Sequence, residues 1–390
     1  MAGIYLHIPF CNKKCIYCGF YSVASKFFRD KYIPALEREI DERRDFFSSL
    51  YPQDREIKTL YIGGGTPSVL DPETIKQAIT ALKDTFSFPK EAFKTDDPDI
   101  FEFTIEVNPD DITPDYAKAL KELGANRISM GVQSFHDIHL AWMGRRHTAQ
   151  QAKDAFQTLR NARFNNISLD LIFGFPNLTQ AQWEENLNTI IDLDPEHISA
   201  YQLGIDPDTP IETQIKQGKL SLPDEETCEK MYKTLQSKLR QANYIQYEVS
   251  NFCKPDHRSR HNSAYWNRTP YLGLGPGAHS FINRKREWNY PDIDTYCNPT
   301  IKELREGENL SPEDVFNEIL MLGLRTENGA SIKDLRESSP QSSIFISQMA
   351  PIMNNLEQNK QLITTRDGRI KIPPEKFFIS DGIIRELFVG

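Results

Sequence analysis

Within eight residues near the front of the chain stand three cysteines, Cys11, Cys15 and Cys18, in a C-x3-C-x2-C spacing inside His7-Ile-Pro-Phe-Cys-Asn-Lys-Lys-Cys-Ile-Tyr-Cys-Gly-Phe20. Thiolates this close can hold three irons of a [4Fe–4S] cube from one short loop. No fourth cysteine lies nearby, so one iron keeps open coordination positions that a small molecule can fill. The same residues also allow a zinc site or three packed core thiols. Zinc, however, closes with four ligands, commonly as two C-x2-C pairs, and the nearest further donor, His7, fits that spacing poorly. The cluster is the favoured reading.

Six strand-like runs alternate with helical patterns over the first half of the chain: 3–8, 58–62, 101–107, 127–131, 166–172 and 197–203 as strands, with helices near 28–50, 72–86, 113–123, 148–163 and 179–191. Such alternation predicts a parallel sheet wound with helices. Asp71-Pro72 and Thr113-Pro114 mark helix starts, because proline fits the first turn. Residues 89–100, acidic and proline-bearing, read as a surface loop. The unusual chemistry falls at one end of successive strands. The cysteines follow the first run, Gly63-Gly64-Gly65-Thr66-Pro67 the second, Glu106-Val-Asn108-Pro109 closes the third, Gln133 follows the fourth, Asp170 sits in the fifth and Tyr201-Gln202 end the sixth. In a (β/α) barrel that end is the active face.

A helix near 225–242 leads to a strand at 244–249 and then to a long loop rich in aromatic and basic residues. Helices near 312–323 and 345–358 precede strands 362–365 and 369–372, joined through Asp367-Gly368, and a last helix begins near 380. The expected organisation is a barrel over 1–224, an extension over 225–304 and a C-terminal domain over 305–390, small, α+β and winged-helix-like. Residues 301–390 hold 11 basic and 14 acidic groups, and the whole chain of 390 residues has net charge −9. Both argue against nucleic-acid binding, which needs a basic footprint. No run approaches the roughly 18 apolar residues of a membrane span, and no secretory signal is visible. A reducing cytoplasm is the expected compartment, with only peripheral membrane contact open to the chain.

The wording around the cysteines, HIPFCNKKCIYCGF, resembles the radical S-adenosylmethionine (SAM) family, and within it the branch of oxygen-independent coproporphyrinogen III oxidases and HemW-type heme chaperones. The resemblance runs over roughly residues 3–380. It implies an α/β fold with a partial (β/α)6 TIM-like barrel, a [4Fe–4S] cluster on Cys11, Cys15 and Cys18, and SAM on the open iron. Gly63, Gly64, Gly65 and Thr66 match the family's GGGTP motif, whose exposed carbonyls accept from the SAM ammonium. Tyr5, Glu106, Gln133, Arg145 and Asp170 match further SAM contacts. Glu106 meets the amino group and Arg145 pairs with the carboxylate, a geometry suited to two parallel hydrogen bonds. Gln133 and Asp170 fall at the ribose. From the residues alone, Glu106 and Asp170 lie in mostly apolar strands, where an unpaired carboxylate is costly, so each calls for a partner.

His261-Asn262-Ser263-Ala264-Tyr265-Trp266 resembles the H-N-x-x-Y-W signature tied to heme in the chaperones. That implies heme contacts from His261, Asn262, Tyr265 and Trp266, with His279 and Cys253 as rival iron ligands and Arg258, Arg260 and Arg268 as partners for propionates. On residue types alone, His261 could equally be a hydrogen-bonded loop histidine and Trp266 a core residue. Cys228 and Cys297 read as buried, inert thiols. Two departures separate this chain from the oxidases: Phe20 stands where they carry a further cysteine, and there is no room for their N-terminal extension. The implied function is a heme chaperone serving respiratory hemoproteins, with an electron donor such as flavodoxin or ferredoxin. The alternative is a coproporphyrinogen III oxidase that decarboxylates propionates. Monomer and dimer are both left open.

Overall fold

Alternation of side chains along the strands organises the molecule. The computed structural model describes residues 2–25, 27–301 and 303–390. Strands β1 (Ala2–Ile8), β2 (Ile57–Gly64), β3 (Glu102–Val107), β4 (Arg127–Gln133), β5 (Ile167–Phe173) and β6 (His197–Gln202) pair in sequence order, all parallel. One set of alternate residues is apolar and fully buried: Ile4, Leu6, Leu60, Ile62, Phe103, Ile105, Ile128, Met130, Leu169, Leu171 and Ile198. Side chains two apart share a face, so the other set also shares one. It reads Tyr5, Tyr61, Glu106, Arg127, Ser129, Asp170 and Ser199, and is polar almost throughout. The apolar face packs on helices, and the polar face lines an interior.

Between the strands run α1 (Arg29–Glu42), α2 (Pro72–Thr85), α3 (Pro114–Glu122), α4 (Asp137–Met143), α5 (Ala149–Asn161) and α6 (Gln180–Leu193). Their starts are set by local chemistry. Asp71 accepts from the Thr74 N–H, Thr113 from Tyr116, and Thr148 and Thr179 form reciprocal capping boxes with Gln151 and Gln182, each satisfying N–H groups that the helix cannot. The short helix α4 was not expected from the sequence. Its seven residues are too few for a periodic signal, and it ends on Gly144 in the left-handed region.

After α7 (Pro210–Lys216) and α8 (Glu225–Gln241), the expected strand at 244–249 shrinks to β7 (Ile245–Gln246), which pairs with β8 (Asn251–Cys253) beside β6. The stretch expected to be a loop is largely structured. It forms α9 (Arg260–Trp266), β9 (Tyr271–Leu274), β10 (His279–Ile282), β11 (Lys285–Asn289), α10 (Ile293–Cys297) and β12 (Arg305–Asn309). Strand β9 joins β1 in parallel, and the hairpin strands extend that edge, giving the order β12-β11-β10-β9-β1-β2-β3-β4-β5-β6-β8-β7. These strands were illegible because β9 and β10 are four residues each. The C-terminal part holds α11 (Pro312–Leu324), α12 (Ile332–Glu337), α13 (Ser342–Gln358) and α14 (Ser380–Leu387) around a sheet of β13 (Ala330–Ser331), β14 (Ile363–Thr364) and β15 (Arg369–Lys371). Thr365 to Arg369 closes the expected turn, with Gly368 at φ +77°. Among the described residues, no helix is long and apolar enough to cross a membrane.

Candidate functional site

Because the six strands and β9 are parallel, their carboxyl ends meet at one rim. The cysteine loop leaves β1 there and is stitched to its neighbours by backbone hydrogen bonds. The Cys11 N–H donates to Val23 O at 3.1 Å, and Ile16 N–H to Met143 O at 3.2 Å. The glycine loop after β2 is tied to it directly: Gly65 N–H donates to Ile8 O at 2.8 Å and Thr66 N–H to Phe10 O at 2.7 Å. A Cβ on Gly65 would sit 2.7 Å from the Phe10 carbonyl, and one on Gly64, at φ +111°, would strike the His7 ring at 2.6 Å. Only glycine allows this approach.

The three thiols are half-buried on the wall of a cavity of about 370 Å³ whose floor is the polar strand face. Cys11 Sγ lies 3.4 Å from Thr66 Oγ1, and Arg145 Nη1 donates to Cys15 Sγ at 3.7 Å. Arg145 is held by Asn108 Oδ1 and Gly131 O, both at 2.6 Å. Gln133 is re-aimed into the cavity by a bulge in β4 that leaves it at φ +69°, a device that sheets use to redirect one side chain. Glu106 accepts from Tyr61 OH at 2.8 Å and from Gly64 N–H at 3.1 Å. Burial pushes its carboxyl up to about 7, the Asp170 charge adding to this against the Tyr61 hydrogen bond. Asp170 is pushed up to about 6, again chiefly by burial.

Thiols, a glycine loop closed to any Cβ, and buried carboxyls that form no ion pair among the described residues together fit a thiolate-held cluster with a small zwitterionic ligand beside it. Arg127 strengthens that fit. It is 1% exposed, lines the same cavity, and its Nε and Nη1 have no hydrogen-bond partner among the described residues. The sequence reading missed it, because an arginine opening a strand looks like an edge residue. His7 is not a fourth metal donor. Its Nδ1 is bonded to Tyr5 OH at 3.0 Å and its Nε2 to Tyr21 O at 2.9 Å, and burial lowers its pKa to about 4.

A second cavity, of about 850 Å³, adjoins the first. Phe20, Tyr61, Glu106 and Asn262 line both. Tyr5 belongs to this second space rather than to the first. The rest is largely aromatic: Tyr21, Tyr265, Tyr271, Phe281 and Trp288, with His279 among them. Of the H-N-x-x-Y-W residues, His261, Asn262 and Tyr265 line the second cavity, whereas Trp266 lines two smaller cavities elsewhere. His261 is 2% exposed and engaged at both ring nitrogens, to Thr59 Oγ1 and Tyr265 OH, each at 2.8 Å. It stacks on Tyr61 at 5.1 Å, and its N–H and that of Arg260 donate to the buried Glu102 carboxylate, both at 2.9 Å. Helix α9 is thereby wedged onto the inner face of β2 and β3.

The arginines expected at propionates differ in placement. Arg258 pairs with Glu327 and Arg260 with Asp99, both away from the second cavity, while Arg268 lines it and pairs with Glu318 at 3.1 Å. Cys253 is buried in β8, outside both cavities, with its thiol pushed up to about 12 by burial. Cys228 is buried as expected; Cys297 is only half-buried.

The parallel strands, the cysteine loop and the glycine loop define a radical SAM protein, and the family model described as "Radical SAM superfamily" matches residues 5–190. The E. coli coproporphyrinogen III oxidase HemN, described as a radical SAM enzyme, superposes with a TM-score of 0.81 at 22% identity, over 100% of this chain and 90% of that one, which establishes the shared fold. In sequence the chain is 36% identical to the heme chaperone HemW of Bacillus subtilis over 86% of both, and 32% identical to HemW of Lactococcus lactis over 97% of both. It is also 32% identical to the bovine mitochondrial radical S-adenosyl methionine domain-containing protein 1, over 88% of this chain and 77% of that protein. The chain belongs to the HemW family of radical SAM proteins. The superfamily implies a [4Fe–4S] cluster and SAM.

Proposed function

We propose that this protein is a heme chaperone that binds a [4Fe–4S] cluster, SAM and heme, and passes heme to respiratory hemoproteins in the cytoplasm or at a membrane surface. Cys11, Cys15 and Cys18 are the cluster ligands. When bound, the cluster supplies a low-potential electron and one exchangeable iron corner. Gly63 to Thr66, Glu106 and Arg145 orient SAM at its amino and carboxylate ends, and Gln133 and Asp170 meet its ribose. An external reductant of the flavodoxin or ferredoxin class serves the cluster.

The observation carrying the heme reading is the second cavity. Its volume falls in the range of ligand sites, roughly 300–1,000 Å³, and its aromatic walls suit a flat apolar macrocycle. It lies one residue layer, Phe20 and Tyr61, from the cysteine cavity. The test is titration of anaerobically reconstituted protein with heme. A Soret band saturating at one heme per chain supports the reading, and its absence sinks it. An anaerobic assay with coproporphyrinogen III, SAM and reductant guards the other side: protoporphyrinogen formed over many turnovers would replace chaperone by oxidase.

A further inference from the structure

The heme reading leaves open which side chain meets the iron, and the histidine that stands out in the sequence is poorly placed for it. His261 has no lone pair to offer without breaking its bond to Thr59 or to Tyr265, and it anchors α9. Burial raises the pKa of Tyr271 on the second cavity, and two further phenols there are committed as well: Tyr5 bonds His7 and Tyr265 bonds His261. Both phenols are pushed well above their ordinary pKa, by burial first, so neither offers a phenolate.

His279 differs on every count. The turn Gly275-Pro-Gly277, with φ +96° and +80° at its glycines, reverses the chain after β9 at the rim and sets His279 first in β10. It pairs across the hairpin with Trp288 and lies over that ring, 5.9 Å between centroids and 27° from parallel. Its side chain is exposed on the second cavity, and among the described residues neither ring nitrogen makes a hydrogen bond.

We infer that His279 is the iron ligand of a heme held in the second cavity, with His261 the structural histidine that fixes the cavity floor. This rests on the heme reading above. Trp288 fixes the imidazole plane, leaving the ring edge to face the guest. Arg268 and Arg286, both on this cavity and both paired with Glu318, are the cations there that would serve the guest's carboxylates.

The experiment is ferric heme titration of the reconstituted full chain, followed by Soret absorption and low-temperature EPR, for wild type, His279→Ala, His279→Met and His261→Gln. Disturbing even the supports of a metal ligand costs about 10–100-fold in affinity, so His279→Ala should weaken binding by at least that much while iron–sulfur content stays at the wild-type level. Added imidazole should restore the wild-type spectrum. His279→Met should bind with changed EPR g-values, and it carries the test if the alanine variant folds poorly. His261→Gln should lower thermal stability yet leave the spectrum of bound heme unchanged. Unaltered affinity and spectrum in the His279 variants, or an altered ligand field in His261→Gln alone, overturns the assignment while leaving the chaperone reading intact. Failure of the wild type to bind heme removes both.

Discussion

The two adjoining cavities are built by opposite strategies. The first is the interior of the sheet: polar side chains on alternate residues of rigid parallel strands, charges buried without full compensation, and glycines that bring two loops into backbone contact. The second is assembled where the sheet face and the cysteine loop meet pieces of the edge, namely α9, strands β9 to β11 and one face of α11, and aromatic rings make up much of its wall. A site on strands can hold small charged groups at fixed positions, and strain and desolvation are tolerable there because many neighbours fix each residue. A site of aromatic walls binds by area and is tolerant of shape. A site of the first kind suits small charged groups held in an exact geometry, and one of the second kind suits reversible binding of a bulky apolar group.

If that division is real, the largest effect comes from the cysteines. Cys15→Ala should abolish the brown iron–sulfur chromophore entirely while heme still titrates into the second cavity; loss of both from a folded variant would break the comparison. Next is Gly64→Ala, which forces a side chain into the left-handed region against His7. It should cost roughly 1–3 kcal/mol in denaturant unfolding and reduce cluster loading. Glu106→Gln should weaken SAM binding about 10- to 100-fold, the weight of a charged hydrogen bond, as read by calorimetry.

The same carboxyl makes a pH prediction. Glu106 and Asp170 have folded-state values of about 7 and 6, above those of an unfolded chain, so the folded form keeps protons that the unfolded form has lost. Their favourable contribution is fully present below about pH 4 and disappears as pH rises through about 6 to 7. The ligand-free midpoint of thermal unfolding should therefore fall between about pH 5 and pH 8, and the fall should be shallower in Glu106→Gln. SAM affinity should rise over the same interval as Glu106 ionises. The smallest effect belongs to the aromatic cavity. Trp288→Ala should weaken heme about tenfold, through the loss of one ring contact and of the support for the His279 plane, with cluster content unchanged. A total loss would mean that the second cavity is as exacting as the first.

Much of the first cavity was legible in the sequence. Cys11, Cys15, Cys18, Gly64, Glu106 and Asp170 were identifiable because each stands out from its setting: thiols close together, three glycines in a row after a strand, carboxylates in apolar strands. Arg127 escaped because its isolation from hydrogen-bond partners exists only in three dimensions. The six parallel strands and five of the six helices between them followed from periodicity and caps, whereas α4 and the strands β9 to β12 were too short to leave a pattern. In the second cavity the sequence pointed to a segment that lines it but not to how each residue is placed. The H-N-x-x-Y-W run does contribute three residues to the wall, yet His261 is consumed by Thr59 and Tyr265, and Trp266 turns away.

By itself, then, the sequence determined the alternating α/β order, the thiolate loop and the polar face of the strands, because those depend on residues near one another along the chain. The pairing of β9 with β1, the wall shared by the two cavities and the release of His279 rather than His261 were decided by tertiary structure alone. Which donor is left without a partner depends on contacts between segments as far apart as Thr59 and His261, and no local pattern records them.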